Sequence, residues 1–254
     1  MTNLKPRDRI LVALDTPDGA RAGDLSRALG GYVGGIKLGL EFFNANGPQG
    51  VRDVAQAASE GAPPPLFLDL KFHDIPNTVA GAVRSVMPLA PAILNVHAAG
   101  GLVMMTTALE AATEEAAHLG IARPMLIAVT VLTSLDDDDL AAVGQATPAR
   151  DQVLRLAALT QKAGLDGVVC SSKEIAAIRA ECGPDFKLIV PGIRPAGAAL
   201  GDQKRVMTPK QAIAEGADYL VIGRPITGAD DPAAAVDVPH FCAESGHDLI
   251  SATD

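Results

Sequence analysis

Two oppositely charged residues, Asp69 and Lys71, interrupt an apolar stretch that begins at Leu66. Residues at alternate positions of a β-strand project to the same side, so both charges are predicted to lie on one face of a strand. A third charged residue, Asp74, follows beyond the predicted strand end, because Pro76 suits a first helical turn and disfavours a central strand. The segment therefore brings an acid, a base and a second acid to a point where a strand gives way to a helix.

These three side chains also have a purely structural interpretation. Asp69 and Lys71 could form a structural ion pair, and Asp74 could cap the following helix. Removing two charges from water at a strand end costs free energy that their attraction does not always offset. Such pairs cluster at active sites, where each charge shifts the pKa of its neighbours. We therefore favour a catalytic role for Asp69 and Lys71, whereas both interpretations of Asp74 stay open.

The chain alternates short apolar runs with longer Ala- and Leu-rich stretches of helical periodicity. This alternation is typical of βα units, and the near-continuous hydrophobicity of the runs indicates parallel strands buried on both faces. Eight such units close naturally into a (β/α)8 TIM barrel, which is commonly a single domain at this length of 254 residues. A doubly wound open sheet is the alternative, but no predicted strand is followed by a Gly-x-Gly-x-x-Gly turn. The predicted strands are residues 10–14, 35–38, 66–70, 93–96, 125–131, 167–170, 187–190 and 219–222, and the predicted helices are residues 16–30, 49–60, 79–89, 102–118, 149–162, 173–181 and 209–215.

The composition excludes several classes of function. A net charge of -9 and 3% aromatic residues provide neither the basic field nor the stacking surfaces that nucleic-acid binding needs. No apolar run approaches the length of about 18 residues that a membrane helix needs. Residues 1–9 lack the apolar core of a secretory signal, and the three separated cysteines provide no disulfide framework or paired-cysteine zinc site. We expect a cytoplasmic protein, one domain over residues 1–254, with polar extensions at residues 1–9 and about 240–254.

Barrel enzymes place their chemistry at the carboxyl ends of the strands, and polar residues follow nearly every predicted strand. The loops after the seventh and eighth strands contain Gly-Ile-Arg and Gly-Arg segments that end at Arg194 and Arg224, where this fold commonly holds a phosphate. Glycine lets the backbone approach a ligand closely, and arginine supplies a charged fork. Anion binding is the favoured interpretation, although either arginine could be a surface residue paired with Asp202 or Asp230. The polar groups at the strand ends are Asp15, Lys37, Asp69, Lys71, His97, residues 130–134, Ser171, residues 191–194, Gly223 and Arg224.

Two further groups are interpreted as structural. His97, at the end of the fourth predicted strand, is interpreted as a hydrogen-bonded core histidine rather than as a catalytic group. The aspartates at residues 136–139 suggest a metal cluster at first sight. Because they follow Ser134, we interpret them instead as an acidic first helical turn that complements the helix dipole.

The segment Asp69-Leu-Lys-Phe-His-Asp-Ile-Pro-Asn-Thr78 is highly specific, and it resembles the bacterial orotidine 5'-phosphate decarboxylases. The resemblance spans residues 10–232. It implies a homodimeric barrel that converts orotidine 5'-phosphate to uridine 5'-phosphate (UMP) and CO2 in pyrimidine biosynthesis, without a metal or an organic cofactor. Supporting segments are Val12-Ala-Leu-Asp15, Lys37, Val129-Thr-Val-Leu-Thr-Ser134, Pro191-Gly-Ile-Arg-Pro195, Gly201-Asp-Gln203 and Val221-Ile-Gly-Arg-Pro225.

The resemblance also implies roles for individual residues. Lys37, Asp69, Lys71 and Asp74 would form a charged array, in which Asp74 and Thr78 enter from the neighbouring subunit. Lys71 would be the proton donor, because loss of CO2 from C6 of a pyrimidine leaves a carbanion that a fixed ammonium stabilises and then protonates. The remaining implied contacts are Asp15 and Lys37 with the ribose hydroxyls, Thr133 with the pyrimidine, and Arg194, Gln203, Gly223 and Arg224 with the phosphate.

Two other functions stay open on the sequence alone. A related decarboxylase or aldolase would share the Asp-x-Lys-x-x-Asp core but use a divalent metal on a sugar phosphate. A catalytically silent barrel that binds a phosphate ligand is the second, although the presence of both lysines and both acids argues against it. The departure from the family is confined to the C-terminal end, where residues 238–240 interrupt the expected final helix.

Overall fold

The computed structural model describes residues 4–57, 64–193 and 207–236. Within these ranges eight strands form a closed barrel in sequence order, which confirms the predicted (β/α)8 fold class. The strands are β1 Ile10–Ala13, β2 Gly35–Gly39, β3 Leu66–Phe72, β4 Ile93–His97, β5 Met125–Val129, β6 Gly167–Val169, β7 Lys187–Pro191 and β8 Tyr219–Ile222.

Helices follow the strands, and local sequence explains where several of them begin and end. Asp18 begins the first helix by accepting hydrogen bonds from the N–H groups of Ala20 and Arg21. Gly120, at φ 66°, ends the fourth helix in the left-handed conformation that glycine adopts without strain. The helices are α1 Gly19–Leu29, α2 Leu40–Gln56, α3 Pro76–Val86, α4 Gly101–Leu119, α5 Asp137–Ala142, α6 Ala149–Lys162, α7 Ile175–Cys182, α8 Pro209–Glu215, α9 Arg224–Thr227 and α10 Pro232–Ala235.

The elements fall into two compact units. The first contains the chain up to Phe67 and from Val190 onward, and in it β1 pairs in parallel with both β2 and β8. The second runs from Leu68 to Ile189, and in it β4, β5, β6 and β7 pair in parallel in that order. The single domain over residues 1–254 stays a prediction.

The core of each unit is built from the strands. All four residues of β1 are buried, as are Leu126, Ile127 and Ala128 on β5, which explains why these runs are apolar throughout. In the second unit α3 packs against α4, and their buried residues include Val83 and Ala112. This helix pair follows β3 and β4, the strands that carry most of the charged and polar residues described below.

Several boundaries differ from the sequence prediction. β3 continues to Phe72, and β5 stops at Val129, so residues 130–134 lie in a loop. α2 begins at Leu40 rather than at residue 49, because Gly47 (φ 62°, ψ -169°) joins two helical pieces across Pro48 and breaks the helical pattern in the sequence.

The predicted extensions are only partly described. Residues 6–9 form a short 3-10 helix, and Arg9 donates hydrogen bonds to the carbonyls of Ala217 and Asp218, so this part packs on the first unit. The predicted C-terminal extension at about residues 240–254 and Cys242 lie outside the described residues. Among the helices that the structure describes, none is long and apolar enough to cross a membrane.

Candidate active site

The carboxyl end of β3 carries a close ion pair. The Nζ of Lys71 donates a hydrogen bond of 2.6 Å to Oδ1 of Asp69, so the two side chains share one face of the strand as predicted. The side chain of Asp69 is 11% exposed and that of Lys71 is 30% exposed. The ammonium therefore has a fixed partner while part of its surface stays accessible to a ligand.

Asn95 on β4 joins this pair, and the sequence interpretation missed it. Its Nδ2 donates to Oδ1 of Asp69 at 2.7 Å, and its Oδ1 accepts the backbone N–H of Lys71 at 2.8 Å. Asn95 is completely buried. The available signal was an uncharged polar residue inside an apolar run, since buried polar groups are hydrogen-bonded and so point to a partner.

The backbone of Lys71 is unusual. Its φ is 50°, a left-handed value that costs a residue with a Cβ about 1–2 kcal/mol. Such conformations persist where surrounding contacts impose them, and they cluster at functional sites. Here the Lys71 N–H is held by Asn95, whose contact fixes the strained turn of the chain.

Two histidines lie next to this cluster. The ring of His97, at the end of β4, stacks on that of His73 with centroids 5.4 Å apart. Burial lowers the pKa of His97, and repulsion from His73 and Lys71 lowers it further. The prediction of a hydrogen-bonded core histidine was wrong at Nδ1, because this buried atom has no hydrogen-bond partner among the residues that the structure describes.

The segment after β3 is exposed. Asp74 and Thr78 are exposed, and Ile75 is 67% exposed although it is a large apolar residue. The N-cap of α3 is Ile75, without a side-chain capping bond, and Asp74 accepts only the N–H of Ile75, at 2.6 Å, among the bonds described for it. The interpretation of Asp74 as the helix cap was therefore wrong, and its catalytic role stays a prediction.

In the first unit Lys37, the middle residue of β2, lies beside Asp15. The Lys37 Nζ lies 3.2 Å from Oδ1 of Asp15, and register places Lys37 opposite Ala13 on β1. Lys37 is buried, whereas the Asp15 side chain is 63% exposed. The carboxylate can therefore meet a ligand while it remains paired with the lysine.

Gly223 follows β8 in the same unit. A Cβ at this position would lie 3.6 Å from Cβ of Ala13 and 3.8 Å from Oδ2 of Asp15, which are ordinary contacts, and its φ is -110°. Packing therefore leaves room for a side chain at this position. Arg224 begins α9 and is exposed, whereas Arg194 and Gln203, the other predicted phosphate contacts, lie outside the described residues.

The loop after β5 contains two threonines with different environments. Thr130 makes a structural hydrogen bond, and Thr133 is the candidate contact for the pyrimidine. The Thr130 hydroxyl donates to the Val169 carbonyl on β6 at 3.0 Å, whereas Thr133 is exposed. The acidic cluster beyond it begins α5, since Asp136 accepts from the N–H groups of Asp138 and Asp139, each at 3.1 Å. This confirms the predicted acidic first turn.

Comparison with known proteins agrees with these features. A model of the orotidine 5'-phosphate decarboxylase / HUMPS family matches residues 8–237. The orotidine 5'-phosphate decarboxylases of Rhodospirillum rubrum and Paramagnetospirillum magneticum are 63% and 57% identical over 226 residues, which cover 89% of this chain and 90% and 94% of those proteins. The crystal structure of the Lactobacillus acidophilus orotidine 5'-phosphate decarboxylase is 35% identical, with a TM-score of 0.80 over 94% of this chain and 99% of that one. The chain therefore belongs to the orotidine 5'-phosphate decarboxylase / HUMPS family of enzymes.

Proposed function

We propose that this chain decarboxylates orotidine 5'-phosphate to UMP and CO2 in pyrimidine biosynthesis, with Lys71 as the proton donor. The observation that carries the proposal is the Lys71 ammonium held 2.6 Å from the Asp69 carboxylate at the end of β3. Family membership supports the substrate, and the partial exposure of Lys71 supports its access to that substrate.

The proposed reaction has two steps at one carbon. The bond between C6 and its carboxylate breaks, CO2 leaves, and the electron pair stays on C6. The Lys71 ammonium stabilises this carbanion and then transfers a proton from Nζ to C6, which yields UMP and a neutral amine. The amine regains its proton from solvent. Asp69 holds the ammonium in place through both stages.

The rest of the substrate would be bound by polar groups at other strand ends. Asp15 and Lys37 contact the ribose hydroxyls in this proposal, which the exposure of the Asp15 carboxylate supports. Gly223 lies against the phosphate in this proposal, because a residue without a side chain lets the backbone approach a ligand closely. The other proposed contacts are Arg194, Gln203 and Arg224 with the phosphate and Thr133 with the pyrimidine.

We further propose that the active protein is a homodimer whose sites are shared. Asp74, Ile75 and Thr78 are exposed at the start of α3, and Val103 on α4 is 68% exposed. The start of α3 is therefore accessible to a second subunit. In the dimer Asp74 and Thr78 would complete the site of the partner subunit.

The test is an assay of the purified protein with orotidine 5'-phosphate in a chelating buffer, in which the pyrimidine absorbance is followed. We expect the absorbance to fall at the same rate with and without the chelator. No change with folded protein would refute the decarboxylase, and activity lost only with the chelator would favour the metal-dependent alternative. Cytoplasmic location stays a prediction from the sequence.

A further inference from the structure

We infer that Asn95 is a positioning residue of the decarboxylation, a role that rests on the function proposed above. Asn95 lies in the middle of β4 and is completely buried. One side-chain amide makes two hydrogen bonds, one to the carboxylate of Asp69 and one to the backbone of Lys71. It therefore contacts both members of the ion pair.

The chemistry of the two partners fixes the orientation of the amide. An ionised carboxylate only accepts hydrogen bonds, and a backbone N–H only donates them. Nδ2 must therefore face Asp69 and Oδ1 must face Lys71, and the reversed amide would lose both bonds. A carboxylate of the same shape supplies only the acceptor, and a leucine supplies neither group.

The bond to the backbone acts on the position of Lys71. The left-handed φ of 50° sets the direction in which the Lys71 side chain leaves the strand. This conformation is intrinsically unfavourable for lysine, so it needs a contact that holds it. The 2.8 Å bond from the Lys71 N–H to Oδ1 of Asn95 is such a contact.

The hydrogen bond from Asn95 to the Asp69 carboxylate fixes the partner of the Lys71 ammonium. Oδ1 of Asp69 accepts from Lys71 Nζ at 2.6 Å and from Asn95 Nδ2 at 2.7 Å. Because the carboxylate is held by a buried amide, the ammonium that binds it is held as well. Displacement of a reacting group by about 1 Å costs about 100-fold in rate, so loss of Asn95 should lower kcat by about that factor.

The experiment compares Asn95→Ala and Asn95→Asp with a matched control, Thr160→Val. Thr160 is also completely buried in the same unit, but its hydroxyl bonds to the Leu156 carbonyl within α6. Turnover of orotidine 5'-phosphate is divided by the number of sites that bind UMP, which removes any effect of unfolded protein. We expect kcat to fall about 100-fold in Asn95→Ala while KM changes little, and to stay near wild type in Thr160→Val.

Asn95→Asp adds a readout that a merely structural role would not produce. The new carboxylate keeps the acceptor for the Lys71 N–H but repels Asp69 when ionised. When protonated it can donate to Asp69 again, so the activity of Asn95→Asp relative to wild type should rise as the pH falls. The other charged and titratable groups around the ion pair are Asp69, Lys71, His73 and His97, and both proteins contain all four. The ratio for Asn95→Ala should stay flat over the same pH range.

Several results would overturn the inference. They are a kcat of Asn95→Ala within threefold of wild type, a loss confined to KM, an equal loss in Thr160→Val, or an Asn95→Asp ratio without pH dependence. If neither Asn95 variant binds UMP, the residue is a folding requirement and the inference is also wrong. Failure of the proposed function gives a different pattern, because wild type itself would then not turn over the substrate.

Discussion

The left-handed backbone of Lys71 predicts an unusual order of stability for two variants. In an ordinary strand, glycine is less stable than alanine by about 0.5–1 kcal/mol because the unfolded chain has more freedom. At position 71 the φ of 50° penalises any residue with a Cβ by about 1–2 kcal/mol, and glycine escapes that penalty. The difference between these two effects leaves Lys71→Gly more stable than Lys71→Ala by up to about 1.5 kcal/mol, with a central value of about 0.75 kcal/mol.

The measurement is the free energy of unfolding in urea, with both variants at the same protein concentration. The matched control is an Ala and Gly pair at Ser85, an exposed residue of α3, where glycine should be less stable by about 1 kcal/mol. Both Lys71 variants should lose nearly all turnover. Removing the general acid costs about 10²–10⁴ in rate, and removing the counter-charge costs about 10²–10³ more.

Two results would refute this reasoning. If Lys71→Gly were less stable than Lys71→Ala by the ordinary margin, the left-handed conformation would not exist in solution. If either variant kept a tenth of the wild-type turnover, Lys71 would not be the proton donor. The two conclusions are independent, because the first concerns the backbone and the second concerns the ammonium.

Three further predictions concern other parts of the chain. Equal amounts of inactive Lys71→Ala and Asp74→Ala, refolded together, should recover activity at about a quarter of all sites; no gain despite subunit exchange would exclude shared sites. Because the pKa of His97 is lowered by folding, this histidine takes up a proton more readily in the unfolded chain than in the folded one. The free energy of unfolding should therefore fall as the pH drops below about 6.5. Urea unfolding should show a smaller fall for His97→Gln than for wild type or the exposed control His118→Gln. Ala90→Gly should raise the unfolding free energy by about 0.5–1 kcal/mol, because Ala90 has a φ of 48°; an unchanged or lower value would contradict that geometry.

The strands could be predicted because a strand that is buried on both faces is a mostly apolar run in the sequence. Runs such as Ile93–His97 are apolar over most of their length, and glycine marks the ends of helices such as α4. The prediction failed where two signals conflicted. Gly47 and Pro48 interrupt the pattern of α2, so the predicted helix begins at residue 49 and omits the first helical piece, from Leu40.

The ion pair of the candidate site could also be predicted, but its backbone could not. Asp69 and Lys71 alternate along β3, so strand periodicity alone places them on one face. Periodicity assumes extended backbone throughout, whereas Lys71 adopts a left-handed φ without the glycine that usually marks it. The contact that holds this turn comes from Asn95, 24 residues further along the chain. Local sequence patterns show Asn95 as a polar residue inside an apolar run, but they do not identify its partner.

Asn95 nevertheless follows from a physical requirement of the pair itself. An ammonium and a carboxylate removed from water are stable only if further hydrogen bonds compensate the lost hydration. Asp69 is 8% exposed, so protein groups must supply part of this compensation. A neutral amide meets the need without adding a charge that would compete with the pair. The residue to look for was therefore an uncharged polar side chain on the strand next in barrel order, and within the apolar part of β4 Asn95 meets that description.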